Sequence, residues 1–306
     1  MSSRRIEEER AQETLNEFWR NRFKLVNQGA SFGAELQMWP SVQNAFVEFS
    51  SPLEGVLDFM YLDNASAPGP YVTTGMGNLI DPIGAALALP WRHNSDNSLA
   101  SQAEVETEWN TVKARKDLAP KGGGAFKGIT SLHIDAATIN EIVASRLAQN
   151  EKILMARFAN YTSLPADAQL GLHSMAWNMG AAFGFPKFSE AILNSDFTTA
   201  ANECKISNGS EARNTADKQL FENAALVEQY GLDPSVLWYP DKPEEGSTRR
   251  GEKRGLSTAG RIGVAGGAAL LVAGGYTYRD TLARLWNRHM PFSISGKPRR
   301  KARSHG

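Results

Sequence analysis

Apolar positions recur at helical spacing along much of the chain, every three or four residues, with charged and polar positions between them. This pattern predicts amphipathic helices that each bury one face. Pro165 stands where a proline opens a helix, because its missing N–H is not needed in the first turn. The predicted helices cover 7–27, 41–59, 83–89, 101–116, 135–160, 165–180, 188–193, 198–205 and 210–229.

One stretch breaks the helical pattern and predicts a small β-hairpin. Residues 61–80 are rich in turn formers, and the segment 64–70 has the composition of a loop. Residues 71–74 alternate in the manner of a short strand, and Gly75 and Gly77 suit a tight return because glycine tolerates positive φ. A flexible connection is expected at 121–124. The fold class predicted is therefore α+β, mostly α.

Charge divides the chain into two parts. The 306 residues carry 33 basic and 33 acidic side chains, yet 13 of the basic ones and only two acidic ones follow Gly246. Such a split predicts an acidic globular body and a separate basic tail whose partners are anionic, such as a membrane surface. Residues 240–261 have the composition of a polar and basic linker.

The segment 262–278 contains no charge and is rich in glycine and alanine. Its length is at the lower end of what a spanning helix needs. Two interpretations therefore remain: a transmembrane or membrane-interacting segment, and a buried or flexible Gly/Ala segment. A basic tail, 279–306, follows it.

The first residues contain no apolar core, so no secretory signal peptide is predicted. The single cysteine, Cys204, excludes an intrachain disulfide.

Two acids in the 54–63 region are candidates for chemistry. Glu54 lies near the end of a predicted helix, and Asp63 follows nine residues later, before the predicted hairpin with Thr73. Two carboxyl groups of unequal environment are what hydrolysis of a glycosidic bond requires: one donates a proton to the leaving oxygen, and the other stays ionised. Taken alone, the two acids are more simply explained as solvated surface residues.

Three blocks in order carry a family resemblance. The first is Glu54-Gly55, Tyr61-x-Asp63 and Tyr71-x-Thr73-x-Gly75-x-Gly77; the second runs from Ala168 to Gly180, with Phe188 beyond; the third is Gly209-x-x-x-Arg213-x-x-x-Asp217-x-x-Leu220-Phe221. Together they resemble phage-type lysozymes (endolysins) and the muramidase part of pesticin-like toxins. The chain departs from the family pattern at Asn78, where histidine is usual, and in a longer loop between Asp63 and Tyr71.

The resemblance implies a role for each matching residue. Glu54 is the general acid, Asp63 the partner carboxylate, and Thr73 helps to hold the attacking water. Arg213 lies near Glu54 and sets its charge environment. Asn178 and Tyr71 are substrate-binding or supporting residues, and no cofactor or metal is involved.

The resemblance also implies an organisation and a setting. A helical extension, 1–40, precedes a lysozyme-like catalytic domain, 41–239, whose β-hairpin subdomain lines the cleft; the hydrophobic and basic tail follows. The substrate is the β-1,4 bond between N-acetylmuramic acid and N-acetylglucosamine in peptidoglycan. The protein acts from the periplasm after delivery by a phage or a secretion system. Its partners are peptidoglycan, an anionic surface or membrane for the tail, and an immunity protein if it is a toxin; no specific nucleic acid is expected.

Two rival functions remain: a lysozyme-fold protein that binds without catalysis, and a membrane-permeabilising protein that acts through its tail. Other classes are disfavoured by sequence. Gly75 and Gly77 lack the rest of a phosphate-binding motif, and the histidines lack metal-ligand spacing. His173-Ser174 lacks the glycines of a nucleophile elbow. Met175, Trp177 and Met179 are expected to be core residues, His173 a structural or surface residue, and Cys204 a buried residue on a helix.

Overall fold

A computed structural model describes residues 3–26, 36–63, 69–207 and 209–249, and the chain divides into two compact units. We call them the helical unit, the described residues of Met1–Gly55 and Ala136–Leu285, and the strand unit, the described residues of Val56–Asp135. The described fold is mostly helical with small antiparallel sheets, which confirms the predicted α+β, mostly α class.

The helical unit is built mainly from α-helices. Within the described residues they are α1 (Ser3–Val26), α2 (Pro40–Glu54), α5 (Ala136–Arg157), α6 (Ala166–Met179), α7 (Pro186–Leu193), α8 (Phe197–Glu203) and α9 (Glu211–Gln229), where α8 is a short two-turn helix that joins α7 to α9. The strand unit holds β1 (Leu57–Leu62), β2 (Val72–Gly75), β3 (Asn78–Leu79), α3 (Gly84–Leu87), β4 (Arg92–His93), α4 (Gln102–Ala114) and β5 (Leu132–His133).

Local sequence signals explain where several helices begin. Ser101 caps α4 by accepting a hydrogen bond from the Glu104 amide, and the Glu104 carboxylate accepts one from the Ser101 amide, a complete capping box. Ser210 caps α9 with its side chain, which accepts a hydrogen bond from the Arg213 amide. Capping satisfies amides that have no partner inside the helix, so these starts are specified locally.

The core of the helical unit is aromatic. The Trp19 ring stacks on Phe49 with centroids 5.4 Å apart, and Tyr239 contacts both rings edge-on at 5.1 and 5.6 Å. The Trp19 indole N–H donates to the Phe49 carbonyl oxygen at 3.2 Å. These contacts join α1, α2 and the segment after α9, so the described N-terminal helix is part of this unit's core.

A buried polar network also fixes this unit. The Glu151 carboxylate on α5 accepts hydrogen bonds from the amides of Gln37 and Met38, at 2.8 and 2.6 Å, and from the Tyr161 hydroxyl at 3.2 Å. The Tyr161 hydroxyl also lies 2.8 Å from Nε2 of His173, which is completely buried. Burial lowers the pKa of His173 to about 3, so its ring is neutral at ordinary pH.

The strand unit contains two small sheets. β1 pairs antiparallel with β2, and β2 with β3, while β4 pairs with β5. The register of the first pair shifts between Leu57 and Tyr61, which marks an irregularity in β1. The Glu108 carboxylate on α4 accepts hydrogen bonds from the Ser131 amide at 2.6 Å and the Leu132 amide at 3.1 Å, which ties α4 to the start of β5.

Two predictions are corrected by the structure. The helix predicted for 41–59 ends at Glu54, and Leu57–Leu62 is a strand. The connection predicted as flexible at 121–124 lies in two 3-10 turns, Ala119–Lys121 and Gly123–Ile129. In both cases an apolar or glycine-rich run does not show which segment it will pack against. Gly123, for example, packs so close to β1 that a Cβ on it would lie 2.5 Å from Leu57 Cδ1.

Among the described residues, no helix is long and apolar enough to cross a membrane. The segment 262–278, the basic tail 279–306 and the second half of the linker, 250–261, lie outside the described residues.

Candidate active site

Glu54 is the last residue of α2, and the backbone turns sharply immediately after it. Gly55 has φ of +72°, a conformation that favours glycine, and its amide donates to the Ser51 carbonyl oxygen at 2.8 Å. The Glu54 side chain is 20% exposed. The helix end therefore holds this carboxyl at the surface of the helical unit, with one side toward the protein.

Arg213 lies on the side of Glu54 that faces the protein interior. Arg213 Nη2 donates to Glu54 Oε1, and the arginine side chain is only 2% exposed. Its Nη1 donates to both the carbonyl oxygen and the hydroxyl of Ser174, at 3.1 and 2.9 Å. A buried guanidinium is tolerated only when its donors and its charge are matched, and α2 and α6 supply those partners.

A second carboxyl, Asp217, lies close enough to Arg213 for their charges to interact. It follows Arg213 by one turn of α9 and is completely buried. Burial raises the pKa of Asp217 to about 7, while the Arg213 charge and the Ser174 hydroxyl act to lower it and the Glu54 charge acts to raise it. The Ser174 hydroxyl lies near Asp217 but outside good hydrogen-bond geometry.

A second arginine lies close enough to Glu54 for their charges to interact. Arg146 on α5 donates from Nη2 to the Trp177 carbonyl oxygen at 2.7 Å, and its guanidinium lies 4.0 Å from the centroid of the Trp177 ring. Burial lowers the pKa of Arg146, and the Glu54 charge opposes that change. Trp177 is a core residue, as predicted, whereas its neighbour Asn178 is exposed near the end of α6.

In the strand unit, Asp63, Tyr71 and Thr73 lie together. The Asp63 amide donates to the Tyr71 carbonyl oxygen at 2.9 Å, which extends the pairing of β1 with β2 by one residue. Thr73 pairs with Tyr61 across the ladder and is 4% exposed, and its hydroxyl donates to the Tyr71 carbonyl oxygen at 3.2 Å. The hairpin therefore fixes Asp63 through backbone contacts.

A cation and a carboxylate that sequence reasoning missed hold this hairpin. Lys113 on α4 forms an ion pair with Asp81, donates to the Pro70 carbonyl oxygen at 3.3 Å and lies 5.5 Å from the Tyr71 ring centroid. Asp81 Oδ2 in turn accepts a hydrogen bond from the Val72 amide at 3.2 Å. We call Lys113 and Asp81 the hairpin clamp.

The six predicted site residues thus fall into two groups. Glu54 and Arg213 are in direct contact in the helical unit, which also holds Asn178; Asp63, Tyr71 and Thr73 are adjacent in the strand unit. Asp217 belonged to the same sequence block as Arg213, and its spacing of four residues on one helix was the available signal. Ser174 lies within the second sequence block, which assigned it no role. Arg146, Lys113 and Asp81 come from segments outside the three blocks, and no sequence pattern connects them to the site.

Within the described residues, no cluster of three or more His, Cys, Asp or Glu side chains is arranged to hold a metal ion. Comparison with protein families, with curated proteins and with solved structures gives no match to this chain.

Proposed function

We propose that this protein is a peptidoglycan hydrolase of the muramidase class, which cleaves the β-1,4 bond between N-acetylmuramic acid and N-acetylglucosamine. The proposal includes the finer architecture that the sequence resemblance implies, a lysozyme-like domain with its hairpin subdomain at the cleft. Glu54 is the proposed general acid and Asp63 the proposed partner carboxylate. Thr73, Tyr71 and Asn178 are the proposed water-holding and substrate-binding residues.

The observation that carries the proposal is the contact between Glu54 and the buried Arg213. The lysozyme-like pattern anticipated this pair across 159 positions of sequence, from the motif blocks alone. A solvated surface glutamate has no need of a buried guanidinium, because exposed ion pairs contribute little to stability. A carboxyl whose charge must be controlled does need such a partner.

The chemistry assigned to these residues follows from the leaving group. The glycosidic oxygen takes a proton from Glu54 as its bond to the anomeric carbon breaks, and the positive charge on the sugar is offset by the Asp63 carboxylate. Water adds its oxygen to the anomeric carbon and gives up one proton, which returns the acid and base to their starting states. Carboxyl groups about 6.5–9.5 Å apart invert the anomeric configuration, and those about 5–5.5 Å apart retain it.

Peptidoglycan digestion tests the proposal, with purified sacculi as substrate and muropeptide release as the readout. Glu54→Gln keeps the shape of the side chain and removes the proton donor, so release should fall by about 100-fold or more. Glu48→Gln is the matched control, because Glu48 lies on the same helix and also pairs with an arginine, Arg22, at 2.9 Å. The anomeric form of the first product distinguishes inversion from retention.

Four results would count against the muramidase. Fragments without a reducing muramic acid end would indicate another bond, and equal release by wild type and Glu54→Gln would remove Glu54 from the chemistry. Binding of sacculi without release by any variant would favour the non-catalytic rival. Leakage from anionic liposomes that is lost when residues 250–306 are deleted would favour the membrane-permeabilising rival.

The biological setting belongs to the same proposal. The enzyme would reach the periplasm by phage lysis or through a secretion system, and its basic tail would bind an anionic surface such as a membrane. Co-purification with a small acidic protein encoded next to it would indicate an immunity protein and so a toxin.

A further inference from the structure

A small polar cavity lies in the strand unit, between α4 and the segment that leads into β5. Its volume is about 270 Å³, and none of the candidate active-site residues is among the described residues that line it. A water molecule takes up about 30 Å³ in the liquid, so the cavity has room for a small organic group.

The cavity is lined by a carboxyl group that is almost completely buried. Glu108 is 7% exposed. Its Oε2 accepts hydrogen bonds from the amide and the hydroxyl of Ser131, at 2.6 and 2.8 Å, and from the Leu132 amide at 3.1 Å. Its Oε1 has a single bond of 3.3 Å, from that same Leu132 amide. Oε1 therefore keeps acceptor capacity for a further donor.

The charge of Glu108 is not matched by a cation of the protein. Within the described residues, no lysine or arginine forms an ion pair with Glu108, and none lines the cavity. Burial raises the pKa of Glu108, and the hydrogen bonds from Ser131 and Leu132 oppose that change. A buried carboxylate in this position is stabilised by any cation that enters the cavity.

A second carboxylate, Glu104, lies at the exposed edge of the cavity. Its Oε2 accepts hydrogen bonds from the amide and the hydroxyl of Ser101, at 2.8 and 2.7 Å, and these bonds lower the pKa of Glu104. Its Oε1 lies 3.4 Å from Nε2 of His93. The cavity is therefore lined by two carboxyl groups on successive turns of α4.

The three hydroxyl groups of the lining act as acceptors toward a ligand, because their protons are already used. Thr107 donates to the Ala103 carbonyl oxygen at 2.7 Å, and Thr111 donates to the Thr107 carbonyl oxygen at 2.8 Å. Ser131 donates to Glu108. Apart from His93, the described polar side chains of the lining have only acceptors to offer, so a matching ligand must be a donor.

Two apolar residues complete the lining. Leu132 is 1% exposed, and Ile129 is half-buried at the end of its 3-10 turn. We propose that this cavity binds an aliphatic primary ammonium group. Its three N–H donors and its positive charge match the carboxylates and hydroxyl oxygens, and its alkyl chain contacts Ile129 and Leu132.

Such a group occurs in free diamines and in the side chain of a diamino acid. The ammonium site itself does not depend on the proposed function. Assignment to a diamino acid of a peptidoglycan stem peptide does rest on the proposed function, and the last experiment distinguishes the two sources.

The first test is a titration of the ¹⁵N-labelled full-length protein with n-pentylammonium chloride, followed by amide chemical shifts. The Ser131 and Leu132 amides should move and saturate, because both donate to Glu108. 1-Pentanol has the same chain without the charge and should leave them in place, as should sodium chloride at equal ionic strength. No movement with the amine, or equal movement with the alcohol, would overturn the proposal.

Variants then assign the binding to the two carboxylates. Glu108→Gln should weaken pentylammonium binding by about tenfold or more, because it removes the buried charge. Glu104→Gln should weaken it by about threefold, since that carboxylate is exposed, and glutamine can still complete the capping box with Ser101. Glu106→Gln is the matched control, because Glu106 is an exposed acid of α4 that does not line the cavity.

The exposed carboxylate keeps the test decisive if Glu108→Gln does not fold. Equal dissociation constants for Glu104→Gln and Glu106→Gln would overturn the site. Neither measurement requires enzymatic activity, so failure of the ammonium site and failure of the muramidase are distinguishable.

The source is tested with the tripeptide L-alanyl-γ-D-glutamyl-L-lysine, its form acetylated on the lysine side chain, and 1,5-diaminopentane. Acetylation removes the ammonium and should abolish tripeptide binding; undiminished binding of the acetylated form would overturn the proposal. Tighter binding of the tripeptide than of the diamine supports the stem peptide as the source. The reverse order supports a free diamine.

Discussion

The two units hold their candidate acids in different ways. In the helical unit, Glu54 is held by a guanidinium that is 2% exposed and is itself bonded to Ser174. In the strand unit, Asp63 is placed by backbone pairing, and the hairpin is held by Lys113, which is 33% exposed. A buried charge is costly to leave unmatched, whereas an exposed ion pair is weak. In the helical unit Glu54 is therefore held by a buried charge, whereas in the strand unit Asp63 is held by backbone hydrogen bonds.

The two units also differ in how many titratable groups they bury. In the described part of the helical unit, burial displaces the pKa of Asp167 to about 6, of Asp217 to about 7 and of His173 to about 3. In the strand unit, burial raises the pKa of Glu108 against the hydrogen bonds from Ser131 and Leu132. We expect pH to act on stability mainly through the helical unit.

The largest effect should come from removing the buried cation. Arg213→Met leaves Glu54 and two acceptor atoms of Ser174 without their partner and removes a positive charge that lowers the pKa of Asp217. The free energy of unfolding should therefore fall by about 3–5 kcal/mol at pH 7. Urea denaturation followed by circular dichroism measures it. Arg20→Met is the control, because Arg20 pairs with the carboxylates of Glu13 and Asp241 but is 33% exposed. Equal losses in the two variants would remove the distinction between the buried cation and an exposed one.

A smaller loss of stability should follow from adding a methyl group at the contact between α6 and α9. A Cβ on Gly171 of α6 would lie 2.7 Å from Cζ of the buried Phe221 ring. Gly171→Ala should lower the free energy of unfolding by about 1–2 kcal/mol, since overpacking exceeds the gain in helix propensity. Gly128→Ala, where a Cβ meets nothing within 4 Å, is the control in thermal denaturation. An unchanged melting temperature in Gly171→Ala would show that Phe221 moves freely.

The buried histidine should determine part of the acid response. His173 has its pKa lowered from 6.5 to about 3, so the unfolded chain binds one more proton between those values, and stability falls as pH falls from about 6.5 toward 3. His173→Gln should reduce that slope by up to about 1.4 kcal/mol per pH unit. Urea denaturation at several pH values measures the slope, and His133→Gln controls for the loss of an imidazole as such. An unaltered slope in His173→Gln would mean that another group dominates acid unfolding.

The smallest effect on global stability should come from the hairpin clamp. Lys113→Met removes a partly exposed ion pair, so the free energy of unfolding should fall by less than about 1 kcal/mol. The local effect should be larger, because the Val72 amide bonds to the Asp81 partner of Lys113. Hydrogen exchange at Val72 should accelerate, and Lys116→Met, at an exposed position just after α4, is the control. Unchanged exchange would show that strand pairing alone holds the hairpin.

Much of the helical architecture could be predicted from sequence. The helix predicted for 101–116 is confirmed as Gln102–Ala114, and the one predicted for 210–229 as Glu211–Gln229. Both start at a serine that caps the helix with its own side chain, a local interaction that sequence displays directly. The burial of Trp177 and Cys204 is also confirmed.

The short strands could not be predicted in the same way. Leu57–Leu62 is an apolar run that periodicity cannot distinguish from the end of a helix, and only its pairing with β2 makes it a strand. β4 and β5 are two residues each and exist because Arg92 and His133, from distant parts of the sequence, meet in the folded chain.

The residues of the candidate site also divide into those that a sequence motif identifies and those that only the folded structure identifies. Glu54, Asp63, Thr73 and Arg213 could be named because they stand in motifs, and the contact of Glu54 with Arg213 follows the expectation. No motif contains Arg146, Lys113 or Asp81, and the block that contains Ser174 assigned this residue no role. They acquire a role only through what the folded chain places beside them.

The sequence by itself determined most of the helical segments, where several of them start, that the body is acidic and the tail basic, and which acids stand in a lysozyme-like pattern. These properties depend on neighbours a few positions apart or on composition. Tertiary structure decided that Glu54 meets the buried guanidinium of Arg213, that Asp217 is completely buried and that Lys113 meets Asp81 at the hairpin. Burial and long-range contact set those charges, because the cost of a charge depends on its surroundings and not on its position in the chain.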